Sequence, residues 1–439
     1  MRVKRRRRGS GPSVLIVGGG FAGLSAMQAL AGSGANVTLV DRNIYSTFQP
    51  LLYQVATAGL TSADVAYPLW AATGKAGARF RKGELARLDL VHRIATLNSG
   101  EDLSYDYLII ATGVSAAFFG VAGAAEYSIS LYTRKDAVAL RNTLLDALER
   151  RNEGLADPEL DVTVVGGGAT GVELAGTLAE LRNIALPAAF PEIDRAAFRV
   201  RLIEMAPALL TPYRASLREY TRQQLVRRGV EVELGTTIKE VKADSVLLGD
   251  GSEHHSDITV WAAGISAPDT DWTAGLPRGK GGRIEVGPDL KVTGQDRVFA
   301  VGDVCVNEQA PIAQLAQPAI QQGRHAGRQI VRLLAGRETE PFKYHDKGIM
   351  ATIGRRSAVV ELPVGVRLRG TLAWLAWLGL HLFYLLGSRN RLVTFVNLSW
   401  RYLTWSRGGG VILGDDVPDS KQIRRSPAGP PPGEVNQSN

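Results

Sequence analysis

Two glycine-rich turns, each followed by a carboxylate, carry the first chemical signal in this 439-residue chain. Gly18, Gly20 and Gly23 follow the apolar run 14–17 and open a segment with Leu24, Met27 and Leu30 on one helical face. Asp41 ends the next apolar run, 37–40. In a strand–turn–helix of this kind the first glycine permits the tight bend and the second lets the backbone approach a pyrophosphate. The third lets helix and strand pack closely. The helix N-terminus offers free N–H groups to phosphate, and the acid accepts from a ribose hydroxyl. Phe21 within the turn and Arg42 beside the acid are candidates for the same nucleotide site.

The pattern then repeats. Residues 162–165 lead into Gly166, Gly168 and Gly171, and the run 199–203 ends at Glu204 after an insertion at about 183–197. The Ala-Thr-Gly that closes the run 107–113 is mirrored at 260–264, which adds Thr112, Gly113 and Gly264 to the candidate cofactor-binding residues. An internal repeat this complete predicts two dinucleotide folds, hence two dinucleotides. One must give a hydride and the other take it, which suggests FAD with NAD(H), held with the reacting atoms roughly 3–3.5 Å apart. The residues alone leave open which half holds which.

Glu204 favours NAD over NADP, because a carboxylate accepts from a free 2′-hydroxyl and repels a 2′-phosphate; an ordinary surface acid is the alternative reading. Gly302-Asp303 ends a further buried run, and Asp303 is placed to reach the ribityl or phosphate region of a flavin. An N-cap or loop carboxylate is the alternative there. A helix is expected to open at Ala316, with Pro318 in the first turn, where proline is tolerated. Its N-terminus would stabilise negative charge on a reduced flavin. Gln317 and Gln321 share one face of it, and each amide can hydrogen-bond a quinone carbonyl; a solvated pair is the plainer reading.

The chain's one cysteine, Cys305, excludes a disulfide framework and a two-thiol redox centre. Disulfide reductases and thiol peroxidases are thereby excluded, a lipid-soluble acceptor remains, and no metal site is expected. The net charge of +8 is concentrated at the ends. Six basic residues lie between 2 and 8, and residues 362–414 hold six arginines and no Asp, Glu or Lys. The stretch between is mildly acidic, a distribution suited to an anionic membrane surface and not to a nucleic acid. The basic start runs into glycines and a strand, with no apolar signal-peptide core, so a cytoplasmic-face location is expected.

The fold that must position these groups is α/β, with two Rossmann-like dinucleotide-binding domains and a C-terminal amphipathic membrane-anchoring helical segment. Expected boundaries are a basic arm at 1–12, a discontinuous FAD domain at 13–130 and 285–345, and an NAD domain at 131–284. A membrane-association region at 346–414 and a disordered tail at 415–439 follow. Residues 45–56 read as an irregular functional loop. The apolar run 371–386 is ~24 Å long as a helix, short of a ~30 Å hydrocarbon core. Arg367, Arg369, Arg389 and Arg391 flank it, and Trp374, Trp377, Trp400 and Trp405 cluster there. Tryptophan favours the water–lipid boundary. A helical pair lying in one leaflet is expected; a packed dimer or core helix, and a single span, are the alternatives.

Across 13–414 the chain resembles the type II NADH:quinone oxidoreductases, peripheral, non-proton-pumping members of the two-dinucleotide-binding flavoproteins. The resemblance rests on Phe48-Gln49-Pro50-Leu51-Leu52-Tyr53-Gln54-Val55-Ala56, Thr170-Gly171-Val172-Glu173-Leu174-Ala175, and Ala316-Gln317 with Gln321-Gln322-Gly323. Asp346-Lys347-Gly348 and His381-Leu382-Phe383 add to it. It implies that the first turn, with Thr112, Gly113 and Asp303, takes FAD and that the second, with Glu204, takes NADH. It further implies that Glu173 lies near the nicotinamide, that Gln317 and Gln321 border a quinone pocket, and that Lys347 lies near the flavin. The implied partners are NADH, a membrane quinone, an anionic membrane surface and a second copy of the chain in a homodimer. A soluble NADH-dependent reductase of a ferredoxin- or rubredoxin-like protein is the main rival reading.

Overall fold

The computed structural model describes residues 11–404. Most of the expected basic arm, the expected tail at 415–439, Trp405 and the Trp400 side chain lie outside the described residues.

The first sheet has five parallel strands in the order Val298–Ala300, Tyr107–Ile110, Ser13–Val17, Asn36–Asp41 and Arg79–Lys82. The second repeats it with Ser128–Ser130, Ile258–Trp261, Leu160–Val165, Phe198–Glu204 and Val230–Leu234. In both, the strand that feeds the glycine turn is central and buried on two faces, which is why its last residues, 14–17 and 164–165, read as apolar without alternation. Each half also carries a three-stranded antiparallel meander, Leu85–Asp89, Ile94–Leu97 and Asp102–Ser104 in the first and Ile238–Val241, Ser245–Leu248 and Glu253–His255 in the second.

The edges differ. The first sheet takes its fifth strand from far along the chain, and the helix Ala316–Leu334 follows it back onto Phe21–Leu30. Glycines make that approach possible, since a Cβ on Gly323 would sit 2.0 Å from the Ala22 carbonyl oxygen. The second sheet takes its edge from the crossover itself. Ser128–Ser130 pairs with Ile258–Trp261, so the second unit begins before residue 131, because the parallel ladder recruits the segment leading into the connector helix. That helix, Arg134–Asn152, starts at a capping box between Thr133 and Asp136. Ser115–Ala116 and Ile265–Ser266 pair where the two crossovers pass.

The expected loop at 45–56 is ordered and packed. It forms a short strand, a 3₁₀ turn and the helix Leu52–Ala56, with Phe48, Leu51, Leu52, Tyr53 and Val55 buried. Its apolar residues fill the core shared with the connector helix and Ala169–Glu180, which fixes a segment with little period of its own.

After a three-stranded antiparallel sheet, Ile349–Gly354, Ser357–Glu361 and Arg367–Arg369, the chain forms the helices Thr371–Tyr384 and Ser388–Thr404. No described helix is long and apolar enough to cross a membrane. Trp374 and Trp377 turn inward instead of toward a lipid boundary, because Trp377 fills the core against Tyr53. The outward side exposes Leu372, Leu375, Leu380 and Phe383, continued by Leu392, Phe395 and Val396. Asn390 and Asn397 tie the last helix to the Ala66 carbonyl and the Asp64 carboxylate.

Candidate functional site

The two turns have one geometry. Gly18 and Gly166 take φ of +109° and +111°, open only to glycine at low cost. A Cβ on Gly23 or Gly171 would lie 1.8 Å from the carbonyl oxygen of Gly18 or Gly166. Around Gly20 and Gly168 a Cβ would meet nothing within 4 Å, the open space a pyrophosphate needs beside the backbone. The acids also match. Asp41 accepts from the Gly19 N–H at 2.6 Å and the Asn43 N–H at 2.7 Å. Glu204 accepts from the Gly167 N–H and, at 2.6 Å, the Ala206 N–H. Each acid is thus set at the lip of its own turn. Arg201, three strand positions before Glu204, is held by Glu231 and Glu233 on the neighbouring strand.

Their surroundings differ. Gly20 and Phe21 are half-buried, whereas Gly168, Ala169 and Thr170 are exposed. Burial raises the Asp41 carboxyl above its ordinary value despite its two N–H donors. Above the first turn the Thr112 hydroxyl is buried with no hydrogen-bond partner among the described residues, and Gly113 has φ of +70°. Burial pushes the Asp303 carboxyl up to about 6, with Arg283 opposing. It also raises the Tyr132 hydroxyl, and the Asp303 charge adds to that. An orphaned hydroxyl, an enclosed glycine cradle and a desolvated carboxyl suit a polar group with hydroxyls of its own, as FAD carries in its ribityl chain. Gly264 lies against the exposed Phe119 ring, which would have to shift for a side chain to fit there. Arg42 is at the rim, paired with Glu84 at 3.6 Å.

The helix Ala316–Leu334 begins where expected, and Leu315 gives it no side-chain cap, so among the described residues its first N–H groups remain free. The two glutamines expected at the acceptor site, Gln317 and Gln321, are not equivalent. Gln317 is half-buried, and its side-chain amide makes no hydrogen bond among the described residues. Both ends of the Gln321 amide are engaged by the His345 backbone, at 2.9 Å and 3.0 Å. Lys347 is exposed and reaches the Tyr384 hydroxyl at 3.5 Å.

Glu173 is buried beneath the second turn, where its carboxylate accepts from the Thr352 N–H at 3.2 Å. Burial pushes it up to about 8, offset in part by that bond and by the neighbouring Trp377 indole. The Trp377 N–H itself has no partner of good hydrogen-bond geometry among the described residues. The His381 ring stacks on Trp377 at 4.1 Å and donates its Nδ1–H to the Trp377 carbonyl at 2.8 Å. Burial lowers His381 to about 4. From there Phe48 meets His381 edge-on at 6.2 Å, and Phe21 meets Phe48 at 5.7 Å. An aromatic ladder thus joins the first turn to the apolar C-terminal helix, and a neutral carboxyl stands at its foot.

The structure brings Thr112, Gly113 and Asp303 to the first turn, and Glu173 to the C-terminal helix beside Trp377. It does not give Gln321 a free amide. Tyr132 carries no sequence signal that singles it out, and Gln322, whose carbonyl accepts from the Gly302 N–H at 2.7 Å, appears in the sequence only as part of the Gln321-Gln322-Gly323 run.

Residues 12–323 match the pyridine nucleotide-disulphide oxidoreductase family, and the chain belongs to it. The type II NADH:quinone oxidoreductase Ndh of Mycobacterium tuberculosis is 36% identical over 90% of this chain and 89% of that protein. One from Haemophilus influenzae is 29% identical over 80% and 87%. Among solved structures, NDH2 from Plasmodium falciparum in complex with NADH superposes with a TM-score of 0.83 at 18% identity, covering 92% of this chain and all of that one. Within the family, this chain is a type II NADH:quinone oxidoreductase.

Proposed function

We propose that the first turn holds FAD, that the second exchanges NADH, and that the protein works as a peripheral enzyme on a membrane that supplies its quinone. FAD, when bound, takes a hydride from NADH and gives two electrons to quinone. Gly18, Gly20 and Gly23 cradle its pyrophosphate, Asp41 its ribose, and Asp303 with Thr112 its hydroxyl-bearing chain. Gly166, Gly168, Gly171 and Glu204 do the same for NADH at the open turn. Gln317 presents its free amide to the quinone, while Gln321 holds the 345–348 segment and with it Lys347. Quinone reduction consumes protons, and the Glu173 carboxyl, protonated at neutral pH, is a buried group able to give one.

The carrying observation is the aromatic ladder from Phe21 through Phe48 and His381 to Trp377, on a helix whose other side exposes Leu372, Leu375 and Phe383. It links the flavin turn to an apolar surface through close-packed rings. The flanking Arg367, Arg369, Arg389 and Arg391 suit anionic head groups, and the proposed location is the cytoplasmic face of the cell membrane.

The test is co-sedimentation with anionic and neutral vesicles, paired with two assays on a Leu372→Glu/Leu375→Glu/Phe383→Glu variant. Release from vesicles with loss of membrane-quinone reduction, while a water-soluble dye is still reduced, supports the reading. Undiminished quinone turnover by a released variant rejects it.

A further inference from the structure

A second cleft, of about 300 Å³, lies beside the helix Ala316–Leu334. Its walls are apolar at Val286, Leu290, Ile312 and Phe342, and no Asp or Glu lines it. Asn307 and Gln309 also line it, and two further donors, on Arg283 and Gln322, belong to its wall. The Arg283 guanidinium is fixed by bonds from Nε to the Lys280 carbonyl, 3.2 Å, and from Nη1 to the Cys305 carbonyl, 3.3 Å. Among the described residues nothing engages its Nη2, and no carboxylate pairs with it. Gln322 is 7% exposed. A backbone N–H can only donate, so the Gly302 bond fixes the Gln322 oxygen on that side and leaves the amide nitrogen to the cleft. No hydrogen bond among the described residues takes that nitrogen.

An amide nitrogen without an acceptor and a guanidinium bonded only to backbone carbonyls leave hydrogen-bonding capacity that an acceptor group would complete. The volume sits at the low end of the range for small-ligand pockets, roughly 300–1,000 Å³, too small for a dinucleotide. We propose that this cleft is a binding site for a small carboxylic acid with an apolar body. The carboxylate would sit on Arg283 and the Gln322 amide, and the body would lie against Val286, Leu290, Ile312 and Phe342. Charge-assisted bonds of this kind distinguish an acid from a neutral molecule of the same shape. Gln322 also holds the N–H next to Asp303, so occupation would be felt at the first turn. That consequence rests on the flavin assignment above; the binding itself does not.

The test is calorimetric titration of the full-length, flavin-loaded protein with 3-phenylpropionate, and with 3-phenylpropanol as its neutral counterpart. One saturable site per chain is expected for the acid, with the alcohol weaker by about tenfold or more. Arg283→Gln should weaken the acid by a similar factor, and Arg283→Lys should restore part of it. Ala310→Phe, at an exposed position lining the cleft, should block binding by filling it, and serves if Arg283→Gln fails to fold. Bound acid should also slow labelling of Cys305, the one cysteine, which lines the same cleft. Equal affinity for acid and alcohol, unchanged binding in Arg283→Gln or Ala310→Phe, or no saturable binding would overturn the proposal.

Discussion

The two glycine turns share their backbone angles, their third-glycine contact and the carboxylate that closes over the middle glycine. They part company in what the rest of the chain lays over them. Above the first come a strand, Gly302-Asp303 and a long helix from some 280 residues downstream in the sequence, and its turn residues are half-buried. At the second the edge strand is local, the distant strand Ile349–Gly354 packs lower on the following helix, at Glu173 and Gly176, and Gly168, Ala169 and Thr170 stay exposed. One motif repeated twice therefore makes an enclosed cradle and an open one. Enclosure slows release and suits a resident group; openness suits a substrate that must leave on each cycle. Long-range topology, not the fingerprint, decides which nucleotide stays.

The strongest way to break that contrast is to obstruct each turn in the same manner. In Gly23→Val and Gly171→Val the new side chain starts against the carbonyl of Gly18 or Gly166, a backbone atom that cannot move aside. Gly23→Val should purify without a yellow chromophore. Gly171→Val should keep its visible flavin band and need at least about tenfold more NADH to bleach it, a loss of roughly 1.4 kcal/mol or more. Absorbance spectra with NADH titration read both. If either variant shows the other's phenotype, the two turns have been assigned the wrong way round.

Next in size is the acceptor side. Gln317→Ala should lower quinone turnover about tenfold while dye reduction by NADH is nearly unchanged, as expected when one substrate hydrogen bond is lost. Gln321→Ala frees the His345 backbone instead, so its effect should fall on the thermal stability of the 345–348 region and less on turnover. Steady-state assays with a short-chain quinone, alongside melting curves, separate the pair. Equal kinetic losses would place both amides on the quinone.

Much of this was legible because the motifs are local. A buried strand, a glycine turn and a helix occupy consecutive residues, so 14–30 and 162–180 disclose themselves, as does Gly302-Asp303 at its strand end. Other parts were hidden for physical reasons. The run 371–386 is apolar nearly all round, so no period says that Trp374 and Trp377 face inward while Leu372 and Phe383 face out. Residues 45–56 are fixed by packing on the connector helix, about 80 residues away in sequence, on Ala169–Glu180 and on Trp377, all distant in the chain. Gln321 and Gln317 look alike in the sequence, and only the distant His345 backbone tells them apart.

A smaller effect tests the open turn's reader. Glu204→Gln removes the charge that repels a 2′-phosphate, so the preference for NADH over NADPH should fall by about tenfold. Arg201 stays paired with Glu231 and Glu233 and is not free to bind the phosphate, which caps the gain for NADPH. Asp41→Asn, the matching change at the enclosed turn, should leave that preference untouched and loosen flavin retention. The kcat/KM ratio for the two nucleotides decides, and a shift in both variants would dissolve the distinction.

The smallest expected effect concerns stability. Counting from the turns, Glu173 corresponds to Ser25 in the first half, so an ionisable group is buried under the second turn only. Its folded value of about 8 lies above its ordinary 4.5. Between those two pH values the native state binds more protons than the unfolded one, so stability falls as pH rises through that window and levels off above it. Glu173→Gln lacks this slope. The variant should match the parent below about pH 4.5 and exceed it increasingly toward pH 8, provided the Thr352 N–H still finds the amide oxygen. His381, lowered to about 4, works the other way and costs stability as pH falls from 6.5, in parent and variant alike. Ser25→Ala should show no pH-dependent difference at all. Melting temperatures of the three proteins from pH 5 to 8.5 resolve the matter: parallel curves for Glu173→Gln and parent would mean that the carboxyl beside Trp377 ionises freely, and that the two halves are alike in charge after all.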